Sequence, residues 1–146
     1  MKRWLLPLLI VSGCGGIPRD PDGTLDRIRH DHVIRVGRVA GAGTDDVADA
    51  RGIVRRLAVL TGARAAVTIA PLEPLLLRLE AGEVDLVVGA RLDEKTPWLK
   101  RVTLGPALAV SDTSAGRTAA HVVTRNGENA WITLVQREVR AAGGTS

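Results

Sequence analysis

The sequence predicts an α/β fold of three layers, αβα, built on a mostly parallel sheet, and three observations carry that expectation. Strand-like and helix-like stretches alternate from residue 33 onward, in the order β-α-β-α-β, and such crossovers imply parallel strands with helices on the sheet faces. Val84 to Val88 is a continuous apolar run with only Asp85 polar, the pattern of a strand covered on both sides. The interior must also be aliphatic. Hydrophobic residues make up 45% of the 146, yet aromatics are 2%, with no Phe or Tyr and only Trp4, Trp98 and Trp131. That composition suits thin layers of helix on sheet, and the length suits one domain.

Each element follows from its residues. Gly23 to Arg29 places Leu25 and Ile28 three apart, one helical turn. Val33 to Val39 alternates β-branched residues with Arg35 and Arg38, a strand. Thr44-Asp45-Asp46 reads as a helix start, with the hydroxyl as cap and carboxylates in the positive first turn. Apolar residues at helical period then run from Val47 to Leu60, and Gly62 stops them. Ala63 to Ile69 is a second strand. Pro71 to Ala81 is a helix with Pro74 in its first turn, Leu75, Leu76 and Leu79 inward, and Gly82 at its end. After Val88 the strand is expected to stop at Gly89. Leu92 to Arg101 is a polar loop or short helix around Pro97-Trp98. Val102 to Val110 is apolar but broken by Gly105-Pro106, and Ser111 to Thr118 has turn composition. His121 to Thr124 gives one more strand. A last helix begins near Asn126 to Asn129 and sets Trp131, Leu134, Val135 and Val139 on one face, before Gly143 to Ser146 frays.

The amino terminus carries a compartment signal. Met1-Lys2-Arg3 is cationic, Trp4 to Val11 is apolar apart from Pro7, and Val11-Ser12-Gly13-Cys14 follows. This fits an export signal over 1–13 and is too short to span a bilayer. It resembles a bacterial lipobox, which implies lipidation of Cys14, the only cysteine in the chain. Gly15-Gly16, with no Asp after Cys14, leans towards the outer membrane of a cell that has one. Residues 14–22 would tether the lipid to a domain spanning 23–146, in the periplasm. Loss of Lys2 and Arg3 with the leader lowers the formal charge of +4 by two. The remaining arginines are interleaved with Asp and Glu and pair with no stacking aromatics, so nucleic-acid binding is not expected.

Three segments resemble the amino-acid-binding type of extracellular solute-binding protein, family three. "GTLDRIRHDHVIRVGRV" is similar to the family's first strand, "LEAGEVDLVVGA" to a helix end and strand ahead of a ligand loop, and "HVVTRNGENAWITLVQREV" to its returning strand and helix. The family clasps a solute between two α/β lobes. Its chain leaves the first lobe, builds the second and returns, whereas here only residues 107–120 are available for that excursion. The resemblance therefore implies a single lobe of the type II periplasmic-binding-protein fold, with the second lobe reduced to a linker near 107–120. It implies a substrate-binding component of an ABC-type transporter for a small polar solute such as an amino acid. The partners would be that solute, a permease or another envelope protein, and the membrane through Cys14. The alternative is a non-transport envelope lipoprotein that uses a degenerate lobe as a protein-interaction surface.

Ligands of open parallel sheets bind beyond the carboxyl ends of the strands. Two loops qualify. Gly43 and Thr44, after the first strand, could present amides to an anion. Gly89, Ala90, Arg91, Thr96 and Trp98 form the second candidate group. The family's ligand-pairing arginine matches Trp98 in position, so Arg91 would have to substitute, gripping a carboxylate with two parallel hydrogen bonds. Trp98 would wall the ligand or cover the core. No enzyme is expected. His30, His32 and His121 lack accompanying acidic ligands at metal spacing, Ser111 and Ser114 lack a nucleophile-elbow pattern, and Asp85 reads as a structural hydrogen-bond acceptor. No cofactor and no metal is implied.

Overall fold

The computed structural model describes residues 19–93, 95–113 and 116–143, without the side chains of 109–113 and 116–118. Cys14, the leader and residues 14–18 of the tether lie outside the described residues, as does Ser114. Among the described residues ten elements follow one another: α1 (Thr24–Asp31), β1 (Val33–Val39), α2 (Thr44–Thr61), β2 (Arg64–Ala70), α3 (Leu72–Glu80), β3 (Leu86–Leu92), a 3₁₀ turn (Pro97–Lys100), β4 (Val102–Thr113), β5 (Gly116–Arg125) and α4 (Asn129–Gly143).

The strands form one sheet in the order β2-β1-β3-β5-β4. β1 pairs in parallel with β2 and with β3, while β5 runs antiparallel to both β3 and β4. The sheet is thus mixed rather than mostly parallel. The parallel half comes from the helical crossovers, and the antiparallel half from a hairpin whose second strand is inserted beside β3.

Two aliphatic clusters make the αβα layers. On one face Ile34, Val36, Leu86, Val88 and Val122 meet Ile28 of α1, Ile53 and Leu57 of α2, and Trp131, Val135 and Val139 of α4. On the other, Val87, Ala90 and Val123 meet Leu75, Leu76 and Leu79 of α3. The three inward leucines of α3 are the ones its spacing selects, and each is essentially without exposed surface.

Three local expectations are corrected. Gly43, not Thr44, is the cap of α2, and Thr44 is its first helical residue. β3 does not stop at Gly89. The glycine takes φ 74° at a bulge between Val87 and Ala90, and the strand continues to Leu92. In place of the expected bridge over 107–120 with turn composition at 111–118, residues 107–113 and 116–120 are paired strands, with Val110 opposite Ala119 and Thr113 opposite Gly116. Pro106 is accommodated because β4 is an edge strand and shifts register between Leu104 and Ala107, where no ladder bond needs its missing N–H.

One buried carboxylate joins four elements. Asp85, just ahead of β3, is 1% exposed at its side chain. Its Oδ2 accepts the Arg35 amide at 2.8 Å and its Oδ1 accepts the Arg35 guanidinium at 2.7 Å, while Arg27 of α1 also donates to Oδ1. Its backbone completes the junction. The Asp85 amide donates to the Arg35 carbonyl at 2.8 Å, and its carbonyl accepts the Trp131 indole N–H of α4 at 2.8 Å. The structural hydrogen bond expected for Asp85 is present, and two guanidinium groups are added to it.

The amino-terminal residues expected to act as tether are partly built into the body. Asp20 accepts the amides of Ala130 at 2.7 Å and Trp131 at 3.1 Å, capping α4 from a distance in sequence, and its other oxygen accepts Leu25 N at 2.9 Å. Glu128 is buried and accepts the amides of Asp22 at 3.0 Å and Thr24 at 2.9 Å. Burial by itself would raise the Glu128 pKa. The Thr24 hydroxyl, the two amides and Arg125 outweigh it and hold the carboxyl below its ordinary value of 4.5.

Two outcomes follow. Asp85→Ala leaves the Arg35 amide unpaired and strands two guanidinium groups, at a cost of about 3 kcal/mol in urea unfolding, with Asp85→Asn recovering part of it. A cost below about 1 kcal/mol would contradict the junction. A depressed folded pKa means that the Glu128 contribution is complete above the unfolded value and lost as pH falls through the folded one. Melting temperatures between about pH 6 and pH 3 should therefore fall less steeply in Glu128→Gln than in the parent chain.

Candidate functional site at the carboxyl ends of the strands

The carboxyl ends of β1 and β3 lie side by side, and the loop 40–43 between β1 and α2 folds over them. Its turn is closed by the Ala42 amide on the Val39 carbonyl at 3.3 Å, with Gly41 at φ 77°. The loop comes down directly onto Gly89. A Cβ added there would lie 2.7 Å from the Ala42 methyl, nearer than real contacts allow. What stands in front of Gly89 is therefore the chain's own loop. Glycine is required twice over, by positive φ and by this close approach.

Arg91 leaves β3 on the α2 side and meets Asp46, the third residue of α2. Its Nε donates to Oδ2 at 3.0 Å, and its Nη2 to Oδ2 at 2.8 Å and Oδ1 at 3.0 Å. Asp46 is buried and the Arg91 side chain is 34% exposed. The two-pronged grip foreseen for a solute carboxylate is thus filled by an internal one. Asp45 and Asp46 together also offset the positive end of the helix dipole. The start of α2 is consequently less inviting to an anion than its glycines suggested, although Gly43 and Thr44 are exposed.

The remaining candidates divide between faces. Ala90 has no exposed surface and packs in the cluster beneath α3, where its role is filling space. Trp98, in the 3₁₀ turn, is half-buried against the same cluster, so it covers core, and Arg101 lies 5.8 Å from its ring centroid. Thr96 caps that turn, its hydroxyl accepting the Trp98 amide at 3.5 Å. Gly43, Thr44, Gly89 and Arg91 are brought together around Asp46; Ala90 and Trp98 belong to the opposite layer. Asp46 was missed as a site residue. Its pairing spans 45 positions and leaves no local pattern beyond a carboxylate in a helix's first turn. Among the described residues, no group of three or more His, Cys, Asp or Glu is placed to hold a metal ion. His121 is buried, with Nδ1 donating to the Gly105 carbonyl at 2.9 Å.

Gly89→Ala tests the close approach. The methyl group collides with Ala42 and strains the backbone, and should cost roughly 2 kcal/mol in chemical unfolding. A neutral substitution would mean that the loop does not rest on β3.

No family model and no curated protein matches the chain. Solved structures do. The arginine-bound form of domain 1 from TmArgBP superposes with a TM-score of 0.63 at 17% identity, covering 80% of this chain and 98% of that one. The arginine-bound form of truncated ArgBP from T. maritima gives 0.64 at 10% identity, covering 80% and 99%. An ancestral cationic amino acid solute binding protein gives 0.64 at 10% identity, covering 83% and 94%. These identities speak to architecture, and the architecture is clear: the chain has the fold of a single domain of a periplasmic binding protein, the fold shared by these amino-acid solute-binding neighbours.

Proposed function

We propose that this chain is an exported, lipid-anchored solute-binding protein that holds a small polar solute such as an amino acid and presents it to an ABC-type transporter in the periplasm. The observation that carries the reading is the Arg91–Asp46 pair at the carboxyl ends of β1 and β3, with the guanidinium partly open to solvent. The neighbours support it, since one is described as an arginine-bound single domain. The leader and Cys14 support export and anchoring. One lobe supplies one wall, so contacts stay solvated and affinity low until a partner closes the other side. Arg91 and Asp46 contribute charge at fixed positions, Gly43 and Thr44 contribute exposed groups at the helix start, and Gly89 holds the loop down.

A second reading, a non-transport envelope lipoprotein using the lobe as an interaction surface, is favoured by one specific observation. Ala42 fills the space before Gly89, and Asp46 already occupies the Arg91 fork.

Thermal-shift titration with a panel of amino acids separates the two. The solute reading expects a saturable rise in melting temperature with at least one of them, growing with the logarithm of concentration and lost in Arg91→Ala. Flat curves across the panel would leave the interaction reading. In the same cells Cys14→Ser should move the protein from the membrane fraction to the soluble one; continued detergent partitioning would defeat the anchor.

A further inference from the structure

The face of the sheet beneath α2 carries a groove of about 440 Å³ that shares no residue with the strand-end site. Its floor and walls are mainly aliphatic, including Val36, Val54, Val67 and Val88, and it opens along the edge strand β2, where Val67 is 56% exposed. Three arginines line the same groove: Arg38 from β1, and Arg51 and Arg55 from α2.

Most arginines that join elements are neutralised, whereas Arg29 and Arg64, outside the groove, have no ion-pair partner among the described residues and stand apart from one another in the chain. Arg27 and Arg35 are partnered by Asp85, Arg56 by Glu138, Arg91 by Asp46, and Arg125 by Asp22 and Glu128. Among the described residues Arg38, Arg51 and Arg55 have no ion-pair partner. Arg51 and Arg55 stand four apart on one helix, where like charges repel. Arg38 adds a third cation from the sheet. An apolar trough rimmed by three unneutralised guanidinium groups complements an amphiphile with an aliphatic body and an anionic head.

We propose that this groove binds a medium-chain carboxylate, with the acyl chain along the valines and the carboxylate among Arg38, Arg51 and Arg55. From Val47 to Ala58, both lining it, α2 extends roughly 16 Å at its rise of 1.5 Å per residue, ample for a chain of that class lying extended. A second copy of the protein is a poorer occupant, because a self-complementary contact would set the arginines of both copies face to face. The aliphatic lining also gives the acyl chain a stable place that a small inorganic anion could not use.

The test is equilibrium dialysis of labelled decanoate, below its micellar range, against the purified full chain. Decanoate should bind saturably, and decyltrimethylammonium, with the same chain and opposite charge, should not. The double variant Arg51→Gln/Arg55→Gln, on exposed helix positions, should weaken decanoate at least about tenfold. Val67→Glu, which puts a competing carboxylate at the mouth, should do the same, while the exposed Arg29→Gln on α1 changes nothing. Circular dichroism melts confirm that each variant is folded. Absence of decanoate binding, equal binding of the cationic amphiphile, or equal binding by the folded double variant would each overturn the proposal. So would arginine-dependent capture of phosphatidylglycerol vesicles without free decanoate binding, which would assign the cations to a membrane surface, or a dimer in sedimentation that buries the groove.

Discussion

A single carboxylate, Asp85, is the constraint around which the domain is assembled. It is buried ahead of β3 and bound through both oxygens to Arg27, Arg35 and the Arg35 amide, while its carbonyl holds the indole of Trp131. Taking a carboxylate out of water is costly, and only several charge-assisted donors offset that cost. The result is a directional junction among α1, β1, β3 and α4 in a core packed largely from aliphatic side chains. Burial of alternate side chains already opposes a slip of register, and the fixed donors around Asp85 add a directional constraint between β1 and the start of β3.

This junction sits at the amino end of β3, and the candidate site sits at its carboxyl end. The buried junction and the candidate site are thereby separated along one strand. At the far end the chain repeats the same chemistry in a more exposed form, with Asp46 gripping Arg91 at the start of α2. The loop 40–43 lies on Gly89, two residues ahead of Arg91 in the strand. The wall this end presents is charged, and it has no opposing lobe among the described residues. On the proposed solute reading, binding from one side would keep water in every contact and make a second wall part of the affinity.

The arginines that join elements are neutralised by Asp or Glu at short range. Those along the groove under α2 are not, and they surround apolar surface rather than acids. Surface charge alone needs no explanation, but like charges gathered on a concave aliphatic strip are held at an electrostatic cost. The strip lies along β2, an edge with both hydrophobic side chains and open backbone, where cations also discourage edge-to-edge pairing.

Local patterns fixed a large part of this protein in advance. Residues 33–39 specify β1, the leucines at 75, 76 and 79 specify the inner face of α3, and Trp131, Val135 and Val139 specify that of α4, because side-chain periodicity follows from backbone geometry alone. The likeness of "LEAGEVDLVVGA" and its two companion segments pointed to the single-lobe fold that the solved structures share. Other features required the folded chain. Ser111 to Thr118 has turn composition, yet residues 111–113 and 116–118 pair as strands because each backbone edge satisfies the hydrogen bonds of the other. Gly89 marks a bulge rather than an end, which becomes evident only when Ala42 is placed above it. Asp46 with Arg91, Asp85 with Arg27, and Asp20 with α4 join residues 45, 58 and 110 positions apart. Periodicity describes one element at a time; which charge meets which is decided by packing, and so was the character of the site.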